Sequence, residues 1–168
     1  AGGEADIVWD YKATEVYPEH SLLLEATLAD KNNQRRMEME PVSRHLGNHL
    51  LRTRNFNSYC VFATSYLNVN VIGDFRMRKN TIYCDVNNAN SYIDGMKIIP
   101  LSTQDLRAII TKNITYKQLY PHFTKAHKSE ERHPQNWYNN FVNLNECELG
   151  YTTTFDQSIQ MVAEPSHD

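Results

Sequence analysis

The sequence predicts an α/β sandwich, a central mixed β-sheet flanked by helices, and three observations carry that expectation. Four short runs rich in β-branched and aromatic residues, at residues 7–11, 22–28, 59–64 and 97–101, read as strands. Apolar residues recur at helical spacing between and after them, as in Val42, His45, Leu46, His49 and Leu50, or Leu106, Ile109 and Ile110. The two patterns interleave along the chain, the order that layers helices onto a sheet.

Taken in order, Ile7-Val8-Trp9-Asp10-Tyr11 is a first strand and residues 22–28 a second, with residues 12–21 a hairpin-like excursion that contains Pro18. Glu40-Pro41-Val42 marks a helix start, because proline is tolerated in a first turn. The pattern leaves open whether residues 34–39 are already helical, and Pro41 argues for a break or kink there. Tyr59-Cys60-Val61-Phe62-Ala63-Thr64 is apolar enough for a strand buried on both faces. Residues 68–78 suit a helix weakened by Gly73, and the Asn-rich residues 80–90 suit a loop. Residues 97–101 form the fourth strand, and Ser102 caps the helix that follows. Two more helices are expected at about residues 116–127 and 135–144, before a polar tail after Gly150.

The 168 residues make one domain, 40% hydrophobic and 22% charged, a balance that supports a packed core and argues against disorder. No run approaches the ~20 apolar residues of a membrane helix, and no signal-peptide pattern opens the chain, so a soluble protein without a membrane partner is expected. Cys60, Cys84 and Cys147 are odd in number and widely spaced, which favours reduced thiols over a disulfide framework or a Cys-based zinc site. Lys plus Arg number 17 against 20 Asp plus Glu, a net charge of −3. A stand-alone DNA binder is usually basic, so either the domain does not touch DNA or another domain supplies most of the affinity. Basic residues do gather locally, at Arg35-Arg36, Arg44-His45, Arg52 and Arg54, and Arg76, Arg78 and Lys79; such clusters also arise as ordinary solvated faces.

Two acids sit where apolar residues are expected. Glu25 lies inside the strand run Leu22-Leu23-Leu24-Glu25-Ala26-Thr27-Leu28, and Asp6 opens the strand before it. A hairpin would bring both to one sheet edge, where two carboxylates repel unless a cation lies between them. Mg²⁺, or Mn²⁺ in its place, resolves that conflict with oxygen ligands, and the chemistry it suits is phosphodiester hydrolysis. Alternatively Asp6 is a turn residue and Glu25 the partner of a buried arginine. Glu38 and His45 are seven residues apart, about two helical turns, and Gln34 and His45 eleven apart, about three. On a continuous helix all three share a face, where Glu38 could orient a metal-bound water and His45 could contact phosphate or shuttle a proton. Arg44 is a natural phosphate clamp; His45 can equally be a helix-face histidine with a structural hydrogen bond.

The run Glu25-Ala26-Thr27-Leu28, then Gln34, Glu38 and Pro41-Val42-Ser43-Arg44-His45-Leu46, resembles the AlwI-type family of restriction endonucleases. Ile98-Ile99-Pro100-Leu101-Ser102 resembles that family's strand-to-helix step, so the resemblance covers about residues 6–110. It implies the PD-(D/E)xK nuclease fold and Mg²⁺-dependent cleavage of double-stranded DNA by a bacterial, cytoplasmic enzyme of type IIS. Asp6 and Glu25 would bind the metal with the Ala26 carbonyl as a third ligand. Glu38 and His45 would complete the catalytic set, and Gln34 and Arg44 would contact DNA. Thr27 departs from the superfamily's usual lysine, whose role then falls to Glu38, Gln34 or His45. Ala5 replaces the usual proline before the aspartate. A helix normally precedes the first strand, so a fragment is expected, with sequence recognition supplied by another domain or subunit and double-strand cleavage by a second catalytic site.

His122, His127 and His133 match no standard zinc spacing. Tyr116, Tyr120, Trp137, Tyr138 and Phe141 could stack on unpaired bases but suit a core better. The competing functions are a catalytically inactive docking or assembly module and a nuclease specific for branched DNA or RNA.

Overall fold

The computed structural model describes residues 4–29, 31–145 and 149; the expectations placed on Cys147 and the tail after Gly150 lie outside the described residues. Among the described residues, strands β1 (Ile7–Tyr11), β2 (His20–Thr27), β3 (Tyr59–Thr64), β4 (Ile82–Asp85), β5 (Asn88–Asp94) and β6 (Ile98–Ser102) are interspersed with helices α1 (Lys31–Thr53), α2 (Val69–Met77), α3 (Thr103–Thr111), α4 (Tyr116–Lys128) and α5 (Pro134–Trp137). The main sheet has the order β1-β2-β3-β6, with β1 antiparallel to β2 and the other pairs parallel. The sheet is therefore mixed and flanked by helices, as the sequence predicts. The four expected strands form within one or two residues of their expected places.

Each face of the sheet has its own core. Leu23, Cys60, Phe62 and Ile98 pack against Met39, Val42, Leu46 and Leu50 of α1 on one side. Leu22, Tyr59, Val61, Ile99 and Leu101 pack against Leu119, Phe123, Ala126 and Trp137 of α4 and α5 on the other. Central β3 is buried at all six positions because both faces are covered. Among the described residues strand β1 has a neighbour on one side only, and Ile7, Val8 and Trp9 are all more than two-fifths exposed.

Three expectations change. Helix α1 starts at Lys31 and runs through Pro41 without ending. A proline inside a helix removes one backbone hydrogen bond, a penalty of about 3 kcal/mol. Buried Met39, Val42, Leu46 and Leu50 offset it by seating the helix on the sheet on both sides of the proline.

Residues 80–90 are not a loop, because β4 and β5 form an antiparallel hairpin. Its two-residue turn is closed by the Asn87 amide donating to Asp85 Oδ1 (2.8 Å). The asparagine-rich composition hid Ile82, Tyr83, Tyr92 and Ile93, whose β preference builds the strands. The hairpin lies on α1 at Gly47, where a Cβ would land inside the Tyr83 ring, and Tyr83 Oη donates to Asn48 Oδ1 (3.0 Å). The helix expected at residues 135–144 is short α5 followed by a π-helical turn, Tyr138–Val142, in which the Asn143 amide reaches the Tyr138 carbonyl (2.8 Å).

Among the described residues no helix is long and apolar enough to cross a membrane.

Candidate active site

The β1–β2 pairing places Ile7 opposite Leu24, so Asp6 arrives beside the next residues of β2. There the Ala26 amide donates to Asp6 Oδ2 (2.9 Å). Glu25 sits between apolar neighbours with its side chain on the α1 face, 8% exposed. His45 Nδ1 lies 2.6 Å from Glu25 Oε1. Two residues further along β2, Thr27 Oγ1 donates to Glu38 Oε1 (2.6 Å). Strand and helix run in opposite directions here. Glu25 meets His45, and Thr27 meets Glu38 two turns earlier on α1, about 10 Å along the helix axis. The continuous helix thus presents Gln34, Glu38 and His45 on one face, as their spacing requires.

Burial raises the Glu25 carboxyl above the ordinary range, and the nearby charges of Asp6 and Glu38 raise it further; the hydrogen bond and charge of His45 pull the other way. Cys60, on neighbouring β3, registers the same field. Its thiol is pushed up first by complete burial, then by the charges of Glu25 and Asp6. Two carboxylates therefore concentrate negative charge where β2 ends. Among the described residues no three His, Cys, Asp or Glu side chains gather closely enough to hold a metal by themselves. A cation at this place would take Asp6, Glu25 and non-side-chain oxygens. The Ala26 carbonyl, next in sequence to Glu25, would be one such backbone oxygen, and donors of this kind are the hard oxygens Mg²⁺ prefers.

Gln34 goes elsewhere. It is fully buried, and its Nε2 donates to the Tyr66 carbonyl (2.6 Å), Thr64 Oγ1 (3.0 Å) and the Ala29 carbonyl (3.2 Å). Its Oε1 accepts from the Asn68 amide (3.0 Å), which opens α2. It ties together the ends of β2 and β3 and is buried away from solvent. Arg44 ion-pairs with Glu40 one turn away (2.8 Å) and is about one-third exposed.

Sequence reading missed two things here. The Thr27–Glu38 bond was legible only as a missing lysine. His49, one turn beyond His45, is buried with Nε2 unpartnered among the described residues, and burial lowers its basicity. Its signal was the same i, i+4 spacing that marked the helix face.

The three histidines dismissed as zinc ligands are accounted for separately. His122 Nε2 bonds the Val142 carbonyl (3.0 Å), His127 packs edge-on to Tyr59, and His133 caps α5. Tyr116, Tyr120, Trp137, Tyr138 and Phe141 line the α4-side core.

Residues 1–109 match the AlwI restriction endonuclease family, a stretch that contains every residue of the site. The chain belongs to that family. Among solved structures, this AlwI-family chain is similar to the small subunit of the heterodimeric restriction endonuclease R.BspD6I. The TM-score is 0.57 at 15% identity, over 86% of this chain and 83% of that one, which establishes a shared fold. No curated protein matches the chain.

Proposed function

We propose that this AlwI-family chain is a PD-(D/E)xK-type, Mg²⁺-dependent endonuclease that hydrolyses phosphodiester bonds of double-stranded DNA, with Mn²⁺ able to replace Mg²⁺. The observation that carries this reading is the meeting of Asp6, Glu25, Glu38 and His45 where β2 ends. One acid there is held against burial and against two like charges. An acid in that position raises the cost of folding and earns its place through a ligand.

Asp6, Glu25 and the Ala26 carbonyl would hold the cation. Mg²⁺ commonly binds through one or two carboxylates with waters and substrate phosphate oxygens, which suits a site without a third carboxylate ligand. When bound, the metal supplies Lewis-acid stabilisation of the phosphoryl transition state and a more acidic water. The protein's own groups do the positioning. The Ala26 amide fixes one oxygen of Asp6, and His45 fixes one oxygen of Glu25. Thr27 orients Glu38, which would be placed to orient a metal-bound water. His45 is the basic side chain in contact with these carboxylates and takes over the position-holding role of the superfamily's lysine. Gln34 acts as a positioning residue, and Arg44 as a phosphate contact at the helix surface.

The fold neighbour is one subunit of a heterodimeric enzyme, and net charge −3 leaves little non-specific affinity for DNA. We assign sequence recognition to another domain or subunit, as in a type IIS arrangement, and double-strand cleavage to a second catalytic site. The test is plasmid nicking in Mg²⁺ by the wild type beside Asp6→Ala and Glu25→Ala. Cleavage lost in both variants supports the assignment; a variant that cuts normally removes its residue from the site. The competing reading is a catalytically inactive docking or assembly module built on the same fold. Calorimetric titration with Mg²⁺ separates the two, because an inactive module has no need to bind the ion.

A further inference from the structure

A basic cluster lies away from the carboxylates. Arg76 ends α2, Lys79 follows it, Lys97 immediately precedes β6, and Lys128 ends α4. Lys97 is level with Tyr59, at the opposite end of the parallel strands from Thr27, and its Nζ sits over the Tyr59 ring (5.0 Å to the centroid). That ring belongs to the α4-side core, whereas Glu25 faces α1. End and face both differ, so the two places are separate.

The cations converge on the end of α4: Lys97 and His127 share the Tyr59 ring, and Arg76 and Lys79 share the carbonyl of Ser129, the residue after Lys128. Arg76 is 6% exposed, stacks over Trp137 (5.3 Å), and donates one terminal nitrogen to the Ser129 carbonyl. Lys79 Nζ donates to the same carbonyl (3.0 Å). The end of α4 thus offsets part of these two charges. Arg76 Nε remains buried without a partner among the described residues. The carboxylate near the group is Glu130, paired with Lys79 (3.2 Å) and 90% exposed. Lys97 and Lys128 have no acid bound among the described residues. The combined field is visible on His127, whose basicity falls to about 4 through burial and then through Lys97, Lys79, Arg76 and Lys128. Lys97 is itself lowered by burial and by Lys128.

Like charges held this close, one of them buried with an idle donor, fit a multiply charged oxyanion. We propose that Arg76, Lys79, Lys97 and Lys128 form a binding site for a phosphate group. A phosphate offers several acceptor oxygens to a guanidinium and three ammonium groups, and its charge relieves their mutual repulsion. The source is either a polynucleotide backbone or free phosphate. The site shares no residue with the nuclease centre and stands whether or not the chain cleaves DNA.

The test uses Trp137, which lies under Arg76, as reporter in a Trp9→Phe chain that leaves one tryptophan. Inorganic phosphate and, separately, a short DNA duplex are titrated at constant ionic strength. A saturable change in Trp137 fluorescence is expected, with a rise in the His127 pKa by NMR as the field is neutralised. Lys97→Met with Lys128→Gln should weaken binding at least tenfold, while Lys12→Gln with Lys117→Gln, the same charge change elsewhere, should leave it unaltered. Saturation by phosphate alone assigns free phosphate, and saturation by duplex at lower concentration assigns the backbone. The site is refuted if neither ligand moves Trp137 and His127. It is equally refuted if the two double variants bind alike, or if polyglutamate binds where phosphate does not. Should the Lys97 variant fail to fold, Lys128→Gln alone and the wild-type His127 shift still decide.

Discussion

Under the proposed function, Glu25 is the residue at which activity and stability oppose each other. Burial and the neighbouring acids raise its folded pKa, so its contribution to stability is present below the unfolded value and is lost as pH rises through the folded one. Glu25→Gln removes that penalty while keeping a group that can bond His45. It should leave the melting temperature at pH 7.5 equal to or above that of the wild type, and lower cleavage about a thousandfold or more. That loss corresponds to the several kcal/mol a metal ligand supplies; calorimetry beside plasmid nicking reads both. His45 acts on Glu25 in the opposite sense, lowering it by hydrogen bond and charge. His45→Ala therefore raises the Glu25 pKa further, and the acid limb of the pH–rate profile should move to higher pH. An unmoved limb would mean that Glu25 does not titrate in the rate-determining state. That Asp6, Glu25, Glu38 and His45 come near one another was legible from sequence because polar residues in an apolar strand, or at helical spacing beside it, stand out against the pattern. Gln34 was legible as a position but not as a role, since nothing in spacing tells a buried amide from an exposed one.

Element by element, strands and capped helices were readable and the conflicts between local signals were not. Ser102 caps α3 with a reciprocal bond to Asp105, as its sequence announces. Pro41 and the asparagines of residues 80–90 carried misleading local signals, and tertiary packing overrode both. The hairpin β4–β5 exists because α1 offers Gly47 under the Tyr83 ring, a fact about two distant segments that no local window contains. Gly47→Ala should therefore cost about 1–3 kcal/mol, the usual range for overpacking. Urea unfolding should show a lower midpoint, with the loss recovered by Tyr83→Leu in the same chain. A Gly47→Ala protein of wild-type stability would mean that the hairpin shifts without cost.

Across the whole molecule, several histidines are buried in neutral form. His20, His49, His122 and His127 all have lowered pKa values with burial as the first cause, and His127 falls to about 4. A depressed folded pKa contributes stability that is present above the unfolded value near 6.5 and lost as pH falls. Urea midpoints should thus drop steadily between about pH 6.5 and 4, with Glu25 protonation offsetting part of the loss. His127→Gln should flatten the curve, and a flat wild-type curve would contradict the buried neutral state. The outer position of β1 has a different consequence. Asp6 is delivered to the candidate site by a five-residue strand that, among the described residues, is held on one side only, while Glu25, Glu38 and His45 belong to β2 and α1, which are packed into the core. Fraying of an edge strand needs far less energy than global unfolding. Warming should therefore silence the enzyme below its melting temperature, with amide exchange at residues 7–11 rising first. The protein would carry a reversible off-state in which everything but one ligand stays in place.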